Sequence, residues 1–129
     1  FTGRIPHGQV PQKLQQCKIG MIGLLDLPKF HKNLATKMFE YMASGVIVVS
    51  SDLPPEREFM EEGKCGLFYK PGDPTDLAEK IIEIIKNPEK AQQQSRYCRT
   101  YMNENAYFAE NEIEKLVNFY RYMLSKKRQ

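Results

Sequence analysis

The apolar positions of this chain change rhythm along its length, from unbroken runs in the first half to helical spacing in the second. IGMIGLL at Ile19–Leu25 and VIVVS at Val46–Ser50 show no polar alternation. Such runs are the mark of strands covered on both faces, as in a parallel sheet. Gly66–Tyr69 is a third short strand candidate, and Phe1–Ile5, closed by Pro6, a fourth. Between them the spacing predicts helices. Val10–Gln16 enters at Pro11, whose fixed φ and missing N–H suit a first turn. After a polar loop from Asp26 to Asn33, a helix is expected over Ala35–Ala43, stopped by Ser44 and Gly45. The turn SDLPP leads into a short helix through Glu58 and Met60.

The strongest helix start lies at Asp73, Pro74 and Asp76, which supply a cap, a proline at the first position and an acid in the first turn. Leu77, Ala78, Ile81, Ile82 and Ile85 then fall on one face at the helical period. Asn87 and Pro88 end that helix and open a mostly polar one, expected on the surface and running to about Asn105. Ile113, Leu116, Val117, Tyr120, Met123 and Leu124 mark an amphipathic last helix. Strands alternating with helices early and helices alone late imply an α/β fold, with a short parallel sheet and a helical C-terminal cover.

A chain of 129 residues is expected to form a single domain around one core. No run approaches the roughly 20 apolar residues of a membrane-spanning helix. The net charge of +3 is small and its basic residues scattered, apart from Lys126, Lys127 and Arg128. That distribution gives no footprint for nucleic acid. Cations at a helix end complement its dipole, although they would also suit weak contact with the inner face of a membrane. Cys17, Cys65 and Cys98 are odd in number and widely spaced, so neither a disulfide framework nor a metal site is expected, and a reducing, cytoplasmic compartment is.

In an open parallel sheet ligands gather beyond the carboxyl ends of the strands, where the following helices point their N-termini. The loop from Asp26 to Thr36 falls there. A helix starting near Leu34–Thr36 would turn unpaired N–H groups toward a phosphate or diphosphate. Thr36 adds a hydroxyl and Lys37 a cation. Glu40 lies one turn beyond Thr36 on the same face, placed to accept hydrogen bonds from sugar hydroxyls. On pattern alone this signal is weak, because every helix of such a sheet presents a positive end. Glu40 by itself reads first as a solvated helix residue, and a non-catalytic, receiver-like α/β module would show the same alternation.

The order of pieces is more specific. The stretch TKMFEYMASGVIVVSSDLPPEREFMEEGKCGLFYKPGDPTDLAEKI resembles the C-terminal domain of the large retaining glycosyltransferase family with two Rossmann domains (GT-B type, group 1, family 4). What matches is a Phe-Glu-Tyr-Met-Ala helix, a turn at Gly45, the VIVVS strand, a DLP turn with Glu58 downstream, a Gly-Leu strand, a PGD turn and an amphipathic helix. The resemblance implies a partial Rossmann-like three-layer domain that binds the nucleotide diphosphate part of a UDP- or GDP-sugar, with no cofactor or metal.

It implies that Glu40 holds the donor ribose, that the backbone at Ala35 and Thr36 holds the diphosphate, and that Lys37 assists or packs nearby. Members of the family often carry another glutamate eight residues earlier, where this chain has Lys32. Asn33 and His31 are then the nearest polar groups to the transferred sugar, and Arg4 and His7 are candidates near the base. The catalytic group is left unassigned. Relative to the family pattern, the acceptor-binding domain and the first strands of this domain would lie outside the chain. Transfer to a polysaccharide or lipid-linked acceptor is therefore expected of a parent enzyme, and weak nucleotide binding at most of this fragment. The uncovered sheet edge makes a homodimer an expectation as well.

Overall fold

The structure, a computed structural model, describes residues 2–104 and 109–126. Strands β1 (Ile19–Ile22), β2 (Ile47–Ser51) and β3 (Gly66–Tyr69) form a parallel sheet in the order β1-β2-β3. Ile19 pairs with Ile47 and Val48 with Gly66, setting the register. All five residues of β2 are buried, as its unbroken apolar run requires of a central strand covered on both sides.

Helices α1 (Val10–Leu14), α2 (Lys37–Ala43), α3 (Pro54–Phe59), α4 (Pro74–Lys86), α5 (Pro88–Glu104) and α6 (Ala109–Lys126) complete the chain. One side of the sheet meets α2 and α5 through Ile22, Val48, Phe68, Met38, Met42, Cys98 and Met102. The other meets α4 through Ile47, Val49, Leu67, Tyr69 and Ile84. The sheet is thus the middle of three layers, as expected.

Local chemistry explains the boundaries. Asp73 caps α4 by accepting from the N–H groups of Thr75 (3.0 Å) and Asp76 (3.1 Å). Gly45 ends the α2 turn at φ +71°. Gly66 answers a different need, the close approach of two strands. It begins β3, and a Cβ on it would sit 2.0 Å from the Val48 carbonyl oxygen.

Four expectations are corrected. The strand foreseen at the amino end does not form over Thr2–Ile5, Phe1 lying outside the described residues; Gly3 at φ +63° bends the chain away from an extended path. In α4 the buried position is Ile84, whereas Ala78, Ile82 and Ile85 are exposed, so the inward stripe is Leu77, Ile81 and Ile84. Helix α5 is no mere surface helix: Gln94, Cys98 and Met102, each four residues apart, form a buried seam. The sequence hid this seam behind a glutamine, whose side-chain amide donates to the Gly63 carbonyl at 2.9 Å. Finally, among the described residues α6 buries none of its apolar side chains. Ile113, Leu116, Val117, Tyr120, Met123 and Leu124 are all exposed, from 40% at Val117 to 64% at Leu124. Asn105, Lys127 and Arg128, invoked above, lie outside the described residues.

Candidate functional site

The loop that leaves β1 is held by a buried hydroxyl. Ser51, at the end of β2, accepts from the Leu24 N–H at 2.8 Å and donates to the Leu24 carbonyl at 2.7 Å, with the Tyr69 hydroxyl 3.1 Å away. One side chain thereby joins the ends of all three strands at the edge where ligands of parallel sheets bind. Beyond it runs a short 3-10 helix at Pro28–Lys32, then Asn33 in extended conformation, then Leu34 and Ala35, half-buried against the core.

Helix α2 starts from this loop. The Met38 N–H donates to the Ala35 carbonyl (2.9 Å) and the Phe39 N–H to that of Thr36 (3.1 Å), so two of the four donors that a helix start leaves open are already used. The N–H groups of Thr36 and Lys37 have no backbone acceptor among the described residues. Thr36 makes no capping bond with its side chain. Glu40 stands in the first turn, exposed, with Lys37 and Thr36 exposed beside it.

Tyr41 sets where α2, anchored by the buried Met38 and Met42, meets β1. Its ring lies on Gly20 of β1 so closely that a Cβ there would be 2.4 Å from the ring. Burial, and after it the neighbouring Glu40 charge, raise the Tyr41 phenol above its ordinary pKa. The bare backbone at Gly20 therefore sets the position from which Glu40 projects.

Thus Ala35, Thr36, Lys37 and Glu40 lie together at one helix start, with Asn33 adjoining them. His31 is nearby in sequence but engaged: its Nε2 meets the Asp26 carboxylate at 2.5 Å, both side chains being exposed. Lys32, where the resembled family often has glutamate, is exposed in the same turn. Arg4 stands apart, lining a depression with Ile5, Pro6, His7 and Val10 that includes none of the loop residues. Glu58 is exposed on α3.

Ser51 and Glu56 carry no mark in the sequence analysis above that sets them apart as site residues. Glu56 is entirely buried, and neither carboxylate oxygen accepts a hydrogen bond. Its signal was present in the spacing, since Leu53, Glu56 and Met60 share the buried face of the α3 region at helical intervals. Asp52 and Arg57 pair on the exposed side, where the Arg57 guanidinium also lies 4.7 Å over the Phe68 ring.

Known proteins share the family and the fold of this chain. The sequence model of the glycosyl transferases group 1 matches residues 1–101. Spore coat protein SA of Bacillus subtilis (strain 168) is 28% identical over 78 residues, which are 60% of this chain and 21% of that protein. Among solved structures, sucrose-phosphate synthase from Thermosynechococcus elongatus superposes with a TM-score of 0.84 over 98% of this chain and 30% of its own, at 20% identity. Anabaena HepE in complex with UDP gives a TM-score of 0.62 over 75% of this chain and 26% of its own, at 19% identity. The same protein with UDP-glucose gives 0.64, covering 73% and 25%, at 20% identity. The chain therefore spans between a fifth and a third of the length of these relatives. No described helix is long and apolar enough to cross a membrane. With the family model covering most of the sequence, and the fold shared across nearly all of it, the chain belongs to the glycosyl transferases group 1.

Proposed function

We propose that this chain is the nucleotide-binding part of the donor domain of a retaining glycosyltransferase that uses a UDP- or GDP-sugar. The observation that carries the reading is the exposed Glu40, one turn along from the unpaired N–H groups of Thr36 and Lys37. N–H groups at a helix start favour an anion, and an exposed carboxylate one turn further accepts the two hydroxyls of a ribose. In this reading Ala35 and Thr36 hold the diphosphate by their backbone, Lys37 supplies a counter-charge, and Glu40 orients the nucleoside. Asn33 and His31 face the transferred sugar, with His31 held by Asp26. UDP and UDP-glucose in the HepE structures support a nucleotide diphosphate as the ligand class.

Transfer needs the acceptor held in line with the bound donor. We assign that task to a further domain of a longer parent enzyme, acting in the cytoplasm on a polysaccharide or lipid-linked acceptor. This chain alone then binds nucleotide weakly and transfers nothing.

Calorimetric titration with UDP, GDP and ADP, repeated on Glu40→Ala, tests the reading. Selective binding of one base, weakened at least about tenfold by the substitution, is the expected result for loss of hydrogen bonds to a charged group. Equal binding by wild type and variant would remove Glu40 from the site.

A further inference from the structure

Helix α3 packs beneath the Pro28–Lys32 turn, and its Phe59, together with Met60 just beyond it, shares a core with Leu34 and Ala35. At that junction lies Glu56, with no exposed surface and both carboxylate oxygens unpartnered. A buried carboxylate without hydrogen bonds is costly, and a purely structural site would hold an apolar side chain at lower cost. Burial raises the Glu56 pKa, whereas the backbone N–H groups of Glu56 itself and of Ala35 pull it the other way. Those groups favour the charged form without reaching hydrogen-bond geometry. The acid is thus poised under the backbone to which the diphosphate was assigned above.

We propose that Glu56 is the positioning residue of the donor loop: its buried carboxylate attracts the Ala35 backbone without a hydrogen bond and so fixes residues 33–36 in the conformation that receives the diphosphate. This role rests on the donor-site reading. Glu56 never touches the nucleotide. It acts through Ala35, so its removal affects the diphosphate and spares the nucleoside, which Glu40 holds. The ionisable groups of the elements packed around it are Lys29, His31 and Lys32 of the 3-10 turn and Lys37 at the start of α2, all exposed, with Arg57 and Glu58 exposed on α3 itself. None is buried beside Glu56.

The test uses the 129-residue chain, labelled for NMR. First, the Ala35 amide proton is followed without ligand across the glutamate range, from about pH 4 to about pH 8. It titrates together with the Glu56 carboxyl carbon in the wild type and stays flat in Glu56→Gln. Second, UDP and uridine are titrated into wild type, Glu56→Gln and Glu56→Leu. Glu56→Leu weakens UDP about tenfold and uridine by less than about twofold, with Glu56→Gln between. Thermal melting stays level or improves, as expected when a buried charge is removed.

Parallel losses of UDP affinity, uridine affinity and melting temperature would mark Glu56 as core packing and overturn the proposal. An Ala35 amide indifferent to Glu56 overturns it even where UDP binds. If the amide is coupled but the wild type binds no UDP or GDP at millimolar concentration, the donor reading has failed and the positioning role goes with it.

Discussion

Ser51 and Leu24, 27 residues apart, exchange two hydrogen bonds: the serine oxygen accepts the Leu24 N–H at 2.8 Å and its hydroxyl donates to the Leu24 carbonyl at 2.7 Å. A side chain here imitates the ladder that a further strand residue would have made, so β1 ends at Ile22 while the chain beyond it stays fixed. Ser51→Ala leaves both Leu24 groups unpaired in half-buried surroundings. The expected loss is about 1–3 kcal/mol, read as a lowered urea midpoint with unchanged slope, together with faster exchange of the Leu24 amide. Ser51→Thr, which keeps the hydroxyl, recovers part of the loss.

Two glycines separate backbone constraint from side-chain crowding. A Cβ at Gly66 would lie 2.0 Å from the Val48 carbonyl oxygen, which is backbone and cannot yield without breaking the β2–β3 pairing. Gly66→Ala should therefore destabilise by more than about 4 kcal/mol, an exceptional value for one methyl group. A Cβ at Gly45 would meet the Arg99 Nε at 2.4 Å, and Arg99 is an exposed side chain that can swing away. What remains is the Ser95 Oγ at 2.9 Å, the end of a rotatable side chain, and the positive φ of 71°, so Gly45→Ala costs only about 1–2 kcal/mol. Denaturant melts of the two variants side by side check the ranking.

Asp73 offers a cleaner measure of one local interaction. It accepts from two N–H groups at the start of α4, and those donors would turn to water in Asp73→Ala. The expected cost is about 1 kcal/mol, recovered largely by Asp73→Ser or Asp73→Asn. Chemical denaturation of the three variants decides, and equal stability of Asp73→Ala and wild type would show that the cap is dispensable.

How much of this could be read from residues alone follows from which forces act locally. The apolar run of β2, the Asp73-Pro74 start and the Asn87-Pro88 break all encode their elements within a few positions, and all three stand where expected. The Lys37–Ala43 helix and its exposed Glu40 were legible for the same reason. Positions defined by distant partners were not. Ser51 gives no local sign that it will bond a residue 27 positions earlier. Gln94 reads as surface until Gly63 is brought beneath it. Glu58 drew notice over Glu56 because the two are equally acidic, and only the packing of α3 decides which one turns inward.

Stability should depend on pH through Glu56. Burial raises its pKa above the ordinary value. Between the unfolded and the folded values the native state therefore binds more protons than the unfolded chain, and stability falls as pH rises through that window. Above the folded value the penalty is complete; below the unfolded value it vanishes. Glu56→Gln removes the ionisation, so it should melt above wild type at about pH 7 and together with wild type at or below about pH 4. Taking the difference between the two proteins cancels the other carboxylates. A gain that persists in acid would mean that the amide packs better, and would separate that effect from the charge.

The exposed face of α6 leads to a prediction about association. Ile113, Leu116, Val117, Tyr120, Met123 and Leu124 recur at helical spacing, with Phe119 and Tyr122 also exposed, and Met21 on the edge strand β1 is 50% exposed. An apolar row of this size exceeds what monomeric proteins usually leave in water. The chain should accordingly self-associate as its concentration rises, through α6, through the uncovered edge of β1, or both. Light scattering behind size exclusion gives the mass at each concentration. Leu116→Glu with Met123→Glu lowers that mass if α6 is the contact, while Met21→Lys lowers it if the strand edge is. A chain that stays monomeric at the highest concentration would show that water tolerates both surfaces.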